Sequence, residues 1–171
     1  MKDTPARSLT VGILALGAEG GRCLPGLERV LRSAWAAVGS IEVVCEDAGG
    51  DARRARATLV RWCGRERADV VLTTGRAGHL PGDFAPDVTG PLLERTLPGI
   101  EERMCLAPPA RPEDLLFRGR AGFRGTTLLV NLPGRAARAA AIVRLLAPVV
   151  GHALGKARGD AAECSRSGAG R

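Results

Sequence analysis

The stretch TTGRAGHLPGD, residues 73–83, places three glycines, two threonines and a proline directly after the apolar run ADVVL, and it ends on an acid, Asp83. Glycine at the end of a strand lets a ligand approach the main chain closely. Arg76 is the odd member, a long cation where a second small residue suits the turn. His79 lies in the same loop within reach of a phosphate, although an exposed loop histidine without a partner is usually incidental. The five cysteines, at 23, 45, 63, 105 and 164, form no C-x-x-C pair and have no histidine at metal spacing. They read as reduced thiols of a cytoplasmic protein, and not as a disulfide framework or a zinc site. Cys23 has no base nearby to activate it.

The elements that must position this loop alternate between short β-like runs and longer helical ones. LTVGILAL (9–16), IEVVCE (41–46), ADVVLTT (68–74) and GTTLLVNLPG (125–134) read as strands, the last running into a turn. LPGLERVLRSAWAAV (24–38), the stretch after Asp51, PDVTGPLLERTL (86–97), PGIEERM (98–104) and RAARAAAIVRLLAPVVGHAL (135–154) read as helices, with Asp51 placed to cap the second. The segment 105–118 is Pro-rich and is expected to be irregular. Trp62, Met104 and His152 are expected to be packing residues. Such alternation predicts a three-layer α/β/α domain with a mostly parallel sheet over residues 8–154. A short extension (1–7) and a small, polar, disordered tail (155–171) are expected to flank it. The segments 15–23, 46–51, 73–83 and 131–136 all leave the carboxyl ends of strands, where such sheets bind ligands, and are expected to meet at one pocket.

Composition narrows the class. At 171 residues and 45% hydrophobic content the chain suits one domain with an ample core. Aromatic residues make up only 3%, which argues against stacking platforms for nucleic acid. The net charge is +7, and its arginines are spread along the chain, as in DARRARATLVRW, RGRAGFRG and GRAARAAAIVR. That dispersion reads as solvated helix faces and not as a nucleic-acid footprint, though it helps attract a polyanionic small molecule such as a nucleotide. The N-terminus MKDTPARSLT holds an acid and no apolar core segment, so no signal peptide is expected, and no run is expected to reach the length of a membrane span.

Several of these segments, ADVVLTTG, Asp83, PDVT, LPGIEERM, GFRGTTLLVNLPG and LLAPVVGHAL, occur in the order and near the spacing of the molybdopterin-binding domain family. The resemblance covers roughly residues 8 to 155, and TLLVNLPG followed by a long helix is its most specific part. It implies ATP- and Mg²⁺-dependent adenylylation of molybdopterin with release of pyrophosphate, in a homo-oligomer, commonly a trimer, formed through the last helix and the segment 105–118. It further implies that Asp51 (with Asp47 as the alternative) and Asp83 hold the metal and serve catalysis. Thr73, Thr74, Gly75, Arg76 and Gly78 are implied to shape the phosphate loop, with Arg118 as a cation nearby. Asn131, Pro133 and Gly134 are implied to shape the pterin side. The chain departs from the family where TTGGTG becomes TTGRAG, where the first strand ends in LGAEGGRC without a Ser-Asp-Arg triplet and with Glu19 as its one acid, where Phe117 stands for a serine, and where Arg135, Ala136 and Ala137 follow NLPG. Those departures leave open an alternative, a non-catalytic paralogue that binds or carries the pterin.

Overall fold

Alternation along the strands assigns each apolar side chain to one of two cores. In β1 (Leu9–Ala15) and β3 (Val70–Thr74), residues Val11, Ile13, Val70 and Leu72 face one layer, and Leu14 and Val71 the other. The computed structural model describes residues 8–108 and 111–159. Its sheet also holds β2 (Ile41–Asp47), β4 (Arg95–Thr96), β5 (Ala121–Arg124) and β6 (Thr127–Leu132), in the order β2-β1-β3-β6-β5-β4. The first four strands in that order are parallel, with Val11 beside Val70 and Val70 beside Leu128; β5 runs antiparallel to β6, and β4 antiparallel to β5. The expected three-layer, mostly parallel architecture is what forms.

One face carries α1 (Gly17–Ala34) and α5 (Ala136–Ala157), which pack Leu27, Leu31, Trp35, Ile142, Val143 and Leu146 on the sheet. The Trp35 indole N–H donates to the Val143 carbonyl at 2.8 Å and so fixes one helix against the other. The opposite face carries α2 (Ala52–Gly64) and α3 (Ala85–Thr89), with α4 (Pro98–Cys105) following β4. Trp62 of α2 lies flat over β1, where a Cβ on Gly12 would come within 2.5 Å of its ring. Trp62 and Met104 are core residues, as expected.

Several boundaries differ from the sequence reading. α1 begins at Gly17, not Leu24, and carries Pro25 inside it. Its buried residues Gly17, Gly20, Cys23, Leu27 and Leu31 keep helical spacing across the proline. The stretch 86–97 is one short helix, a 3₁₀ turn at Gly90–Leu92 and the edge strand β4, because Gly90 and Pro91 interrupt the helix. The strand expected within 125–134 forms as β6, and it is the second arm of a hairpin with β5 that turns at Gly125, φ 58°. The irregular segment contains a 3₁₀ helix at Pro112–Leu116. His152 is exposed, not buried in the core.

α5 is long and apolar enough to cross a membrane by length and composition, with mean hydropathy 1.4 over its most apolar window, contrary to the expectation that no run reaches that length. Here Ala139, Ile142, Val143, Leu146, Val150 and Leu154 form its buried stripe. The helix also reaches Ala157, into the stretch assigned to the tail, and an Arg158–Asp69 ion pair anchors its end. Residues 1–7 and 160–171 lie outside the described residues.

Candidate functional site

The strand order reverses between β1 and β3, and the two strands end side by side there, with the Leu16 amide donating to the Thr74 carbonyl at 2.9 Å. α1 starts at once from that point. Leu16 is its N-cap and supplies no capping side chain, while the Gly17 amide donates to the Gly49 carbonyl at 2.6 Å. Among the described residues, the amides of Ala18 and Glu19 have no acceptor. An open first turn of this kind carries partial positive charge and favours anions. Two glycines make the contact possible, because a Cβ on Gly20 would meet the Thr74 carbonyl oxygen at 2.1 Å and one on Gly75 the Leu16 carbonyl oxygen at 2.3 Å.

The glycine loop then folds over this helix start. Leu16, Gly17, Ala18, Glu19, Arg76 and Asp83 line a cleft of about 270 Å³, with Leu80 at its edge. Arg76 is exposed and takes the left-handed conformation, φ 52°, which is uncommon outside glycine. Its side chain crosses Gly17, where a Cβ would stand 2.7 Å from Nε. Asp83 accepts from the Leu80 amide at 2.9 Å, and its Oδ2 would lie 2.7 Å from a Cβ on Gly78. Arg118 latches the loop from outside, donating to the carbonyls of Gly78 at 2.9 Å and Asp83 at 3.1 Å and to the Asp87 carboxylate at 2.7 Å. A second, wider cleft of about 760 Å³ opens beyond Arg118, lined among others by Asp87, Glu101, Cys105, Phe117 and Arg120.

The remaining sequence-derived residues divide. Thr73, Thr74 and Asn131 are buried. The Asn131 amide donates to the hydroxyls of Thr73 at 2.8 Å and Thr89 at 2.9 Å, while its carbonyl accepts from the Arg120 amide at 3.0 Å. The Thr74 hydroxyl donates to the Pro133 carbonyl at 3.1 Å. These groups tie strands and loops together from within. Gly134 stands beside Glu19, where a Cβ would come within 2.8 Å of its Oε2. Cys23 donates its thiol to the Gly134 carbonyl at 2.9 Å, and burial pushes that thiol up despite a hydrogen bond with Thr74 that works the other way. It is therefore a packed thiol and not an activated one.

Asp51 does not line the cleft. It caps α2, accepting from the amides of Arg53 at 2.8 Å and Arg54 at 3.1 Å. Asp47 accepts from the Gly49 amide at 2.7 Å, and its Oδ2 would lie 3.3 Å from a Cβ on Gly21 in the second turn of α1. The acid that the fold does bring opposite Asp83 is Glu19. In the sequence Glu19 stands out only as the acid left in the first loop; the signal that could have found it is its place four residues past the end of β1. Among the described residues no group of three or more His, Cys, Asp or Glu side chains is arranged to hold a metal by itself. Mg²⁺ is commonly held by one or two carboxylates together with substrate phosphates and water, and Asp83 facing an anion-seeking helix start fits that mode.

Comparison with known proteins adds a context. Residues 22–152 match the family model described as a probable molybdopterin binding domain. The chain is 33% identical to the molybdenum cofactor synthesis protein cinnamon of Drosophila melanogaster over 97 residues, 56% of this chain and 16% of that protein. It is 34% identical to the molybdopterin adenylyltransferase of Helicobacter pylori over 79 residues, 46% of this chain and 45% of that protein. The matches thus span less than half the length of these relatives. Among solved structures, the chain superposes on the molybdopterin biosynthesis enzyme MoaB of Thermus thermophilus with a TM-score of 0.74 and 33% identity, covering 88% of this chain and 97% of that one. The Mog protein of Mycobacterium ulcerans gives a TM-score of 0.73 at 25% identity, covering 87% and 99%.

Proposed function

For this chain, which belongs to the molybdopterin-binding domain family, we propose a role in molybdenum cofactor biosynthesis, as a molybdopterin adenylyltransferase that uses ATP and releases pyrophosphate. The observation that carries this reading is the cleft at the β1/β3 switch point, where the open first turn of α1, the glycine loop, Arg76 and Asp83 meet. The amides of Ala18 and Glu19 and the guanidinium of Arg76 take the nucleotide's phosphates, through main-chain dipoles and charge-assisted hydrogen bonds. Asp83 would hold Mg²⁺ together with those phosphates; Glu19 is the acid that shares the cleft with it, while Asp51, expected as the second acid, caps α2 and Asp47 lies beside α1. The metal, when bound, offsets charge that builds up on the transferring group. Gly75 and Gly78 keep the loop close to the phosphates, and Thr73 and Thr74 hold it from beneath. Gly134, Pro133 and Asn131 shape the pterin side of the site. The wider cleft beyond Arg118 falls within the usual size range for an organic ligand and accommodates the pterin.

A second reading, that of a pterin-binding protein without transferase activity, is favoured by one observation. Arg76 lies across Gly17, over the place where the open helix turn would meet a phosphate. A single-turnover assay with ATP, Mg²⁺ and molybdopterin separates the two. Pyrophosphate released in step with adenylylated pterin is the expected result; pterin binding without any pyrophosphate above background leaves the carrier reading.

Assembly is part of the proposal. Leu106, Leu115, Leu116 and Val149 are exposed large apolar side chains, and Leu97, Ile100, Leu145 and Val149 line a groove of about 460 Å³ between α4 and α5. A homo-oligomer, a trimer, covers these surfaces, with an interface of about 1,600 Å² per pair. Sedimentation equilibrium at micromolar concentration is expected to show a species well above 17.8 kDa, and a monomer alone would contradict it.

A further inference from the structure

The densest run of arginines in the chain lies on α2 and its exit. Residues 53–67 hold six arginines and one acid, Glu66, a local charge of +5 within a whole-chain charge of +7. α2 turns Ala55, Thr58, Leu59 and Trp62 inward. Its outer face is a shallow groove of about 750 Å³, floored by Ala57, Val60 and Gly64 and rimmed by Arg53, Arg56 and Arg65. Val60 is 39% exposed at the centre of that floor. Arg61, at one side, is already engaged by Glu46 and Glu66. Among the described residues Arg53, Arg56 and Arg65 have no carboxylate partner.

The combination of rim and floor selects an occupant. A phosphate backbone would use the charge and ignore the floor, and the face offers no aromatic platform and no amide or hydroxyl side chain with which to read bases. A lipid surface calls for large apolar side chains that insert, whereas this floor is alanine, valine and glycine. Small floor residues at helical spacing let a second helix lie close, and flanking guanidiniums pair with carboxylates in a planar, bidentate way. We propose that this face of α2 docks an amphipathic helix of a partner protein, one with an apolar seam flanked by Glu and Asp. The groove runs the length of α2, about 20 Å, and accommodates three to four turns of the partner, about 13 residues.

The test uses the full chain and a synthetic helix of about 20 residues, with a leucine seam and glutamate flanks. Fluorescence anisotropy compares it with a scrambled peptide of the same composition, a short DNA duplex and phosphatidylserine vesicles, at low and at physiological salt. The patterned peptide is expected to bind about tenfold tighter than its scramble, with added salt weakening it. Reversing the rim (Arg53→Glu, Arg56→Glu, Arg65→Glu) is expected to weaken it about a hundredfold, and Val60→Asp about tenfold. Arg29→Glu with Arg144→Glu, on the α1–α5 side, should leave it within about twofold. If the triple reversal does not fold, Arg56→Gln with Arg65→Gln replaces it, with a loss of about tenfold. The proposal is overturned if the scramble, the duplex or the vesicles bind as tightly as the patterned peptide, or if Val60→Asp changes nothing. It is also overturned if Val60→Asp lowers the sedimenting mass, because a second copy of the chain then covers the face.

Discussion

Thr73 and Arg76 stand three residues apart, one near the end of β3 and the other in the loop that leaves it, and the fold sends them in opposite directions. Thr73 is 1% exposed and shares its hydroxyl with the Asn131 amide, inside a network in which each side-chain group finds a partner. Arg76 is exposed, strained at a positive φ, and turned into a cleft with Glu19 and Asp83. The same contrast separates the Arg138–Asp114 pair, whose guanidinium is fully buried, from Asp83 at the cleft. Interior polar groups are fixed by what they already bind, so altering them costs stability. Groups at the cleft hold few internal bonds, so altering them costs ligand affinity or rate.

The largest effect falls on the interior side. Arg138 is fully buried, 2.5 Å from Asp114, and donates to the carbonyls of Met104 and Cys105 at the end of α4. Asp114→Asn strands a buried charge and should lower the unfolding free energy by about 3–5 kcal/mol in urea melts, with little change in nucleotide affinity in whatever protein remains folded. The pH dependence follows from the same site. Burial favours the neutral acid, but the Arg111 amide and the guanidiniums of Arg138 and Arg135 outweigh it and hold the Asp114 carboxyl below its ordinary range. A carboxyl held low stabilises the fold above its unfolded pKa of about 3.9, and that contribution fades as pH falls through its lower folded value. The urea midpoint of the native chain should therefore drop more steeply with acid than that of Asp114→Asn.

Next comes the cleft. Asp83→Asn should slow adenylyl transfer by about a hundredfold or more while leaving the melting temperature and pterin affinity nearly unchanged. A melting loss as large as that of the interior variant would dissolve the contrast. Asn131→Ala should do the reverse, costing about 2 kcal/mol by leaving the Thr73 and Thr89 hydroxyls and the Arg120 amide short of partners. Its ATP affinity, measured by calorimetry on folded protein, should stay near that of the parent.

The smallest and most diagnostic effect belongs to Arg76. Arg76→Gly should weaken ATP binding by about tenfold, a difference that added salt narrows. Because glycine suits φ of 52°, the same change should stabilise the fold by about 1 kcal/mol. A gain in ATP affinity would identify Arg76 as an obstruction and favour the carrier reading.

What is legible in the sequence follows the range of the forces involved. Apolar runs such as LTVGILAL and ADVVLTT announce buried parallel strands by themselves, since both their faces must leave water. The Asp51 cap is also local, needing only amides two and three residues away. The start of α1 is misread from sequence because Gly17, Gly20 and Gly21 look like a loop; only contact with Thr74 and Gly75 of another strand shows why small residues stand inside a helix there. Edge strand β4 has two residues, too few for any pattern, and exists because β5 pairs with it.

Periodicity and turn chemistry act over a few residues, so the layered architecture, the family resemblance and the glycine loop as the place to look are all set locally along the chain. Only the assembled sheet and helices bring Glu19 to the cleft with Asp83 and let Asn131 and Thr73 spend their polar groups on each other. The physical reason is the same in each case: hydrogen bonds and charge pairs join residues tens of positions apart, and their distances are fixed only when the sheet register and helix packing bring them together.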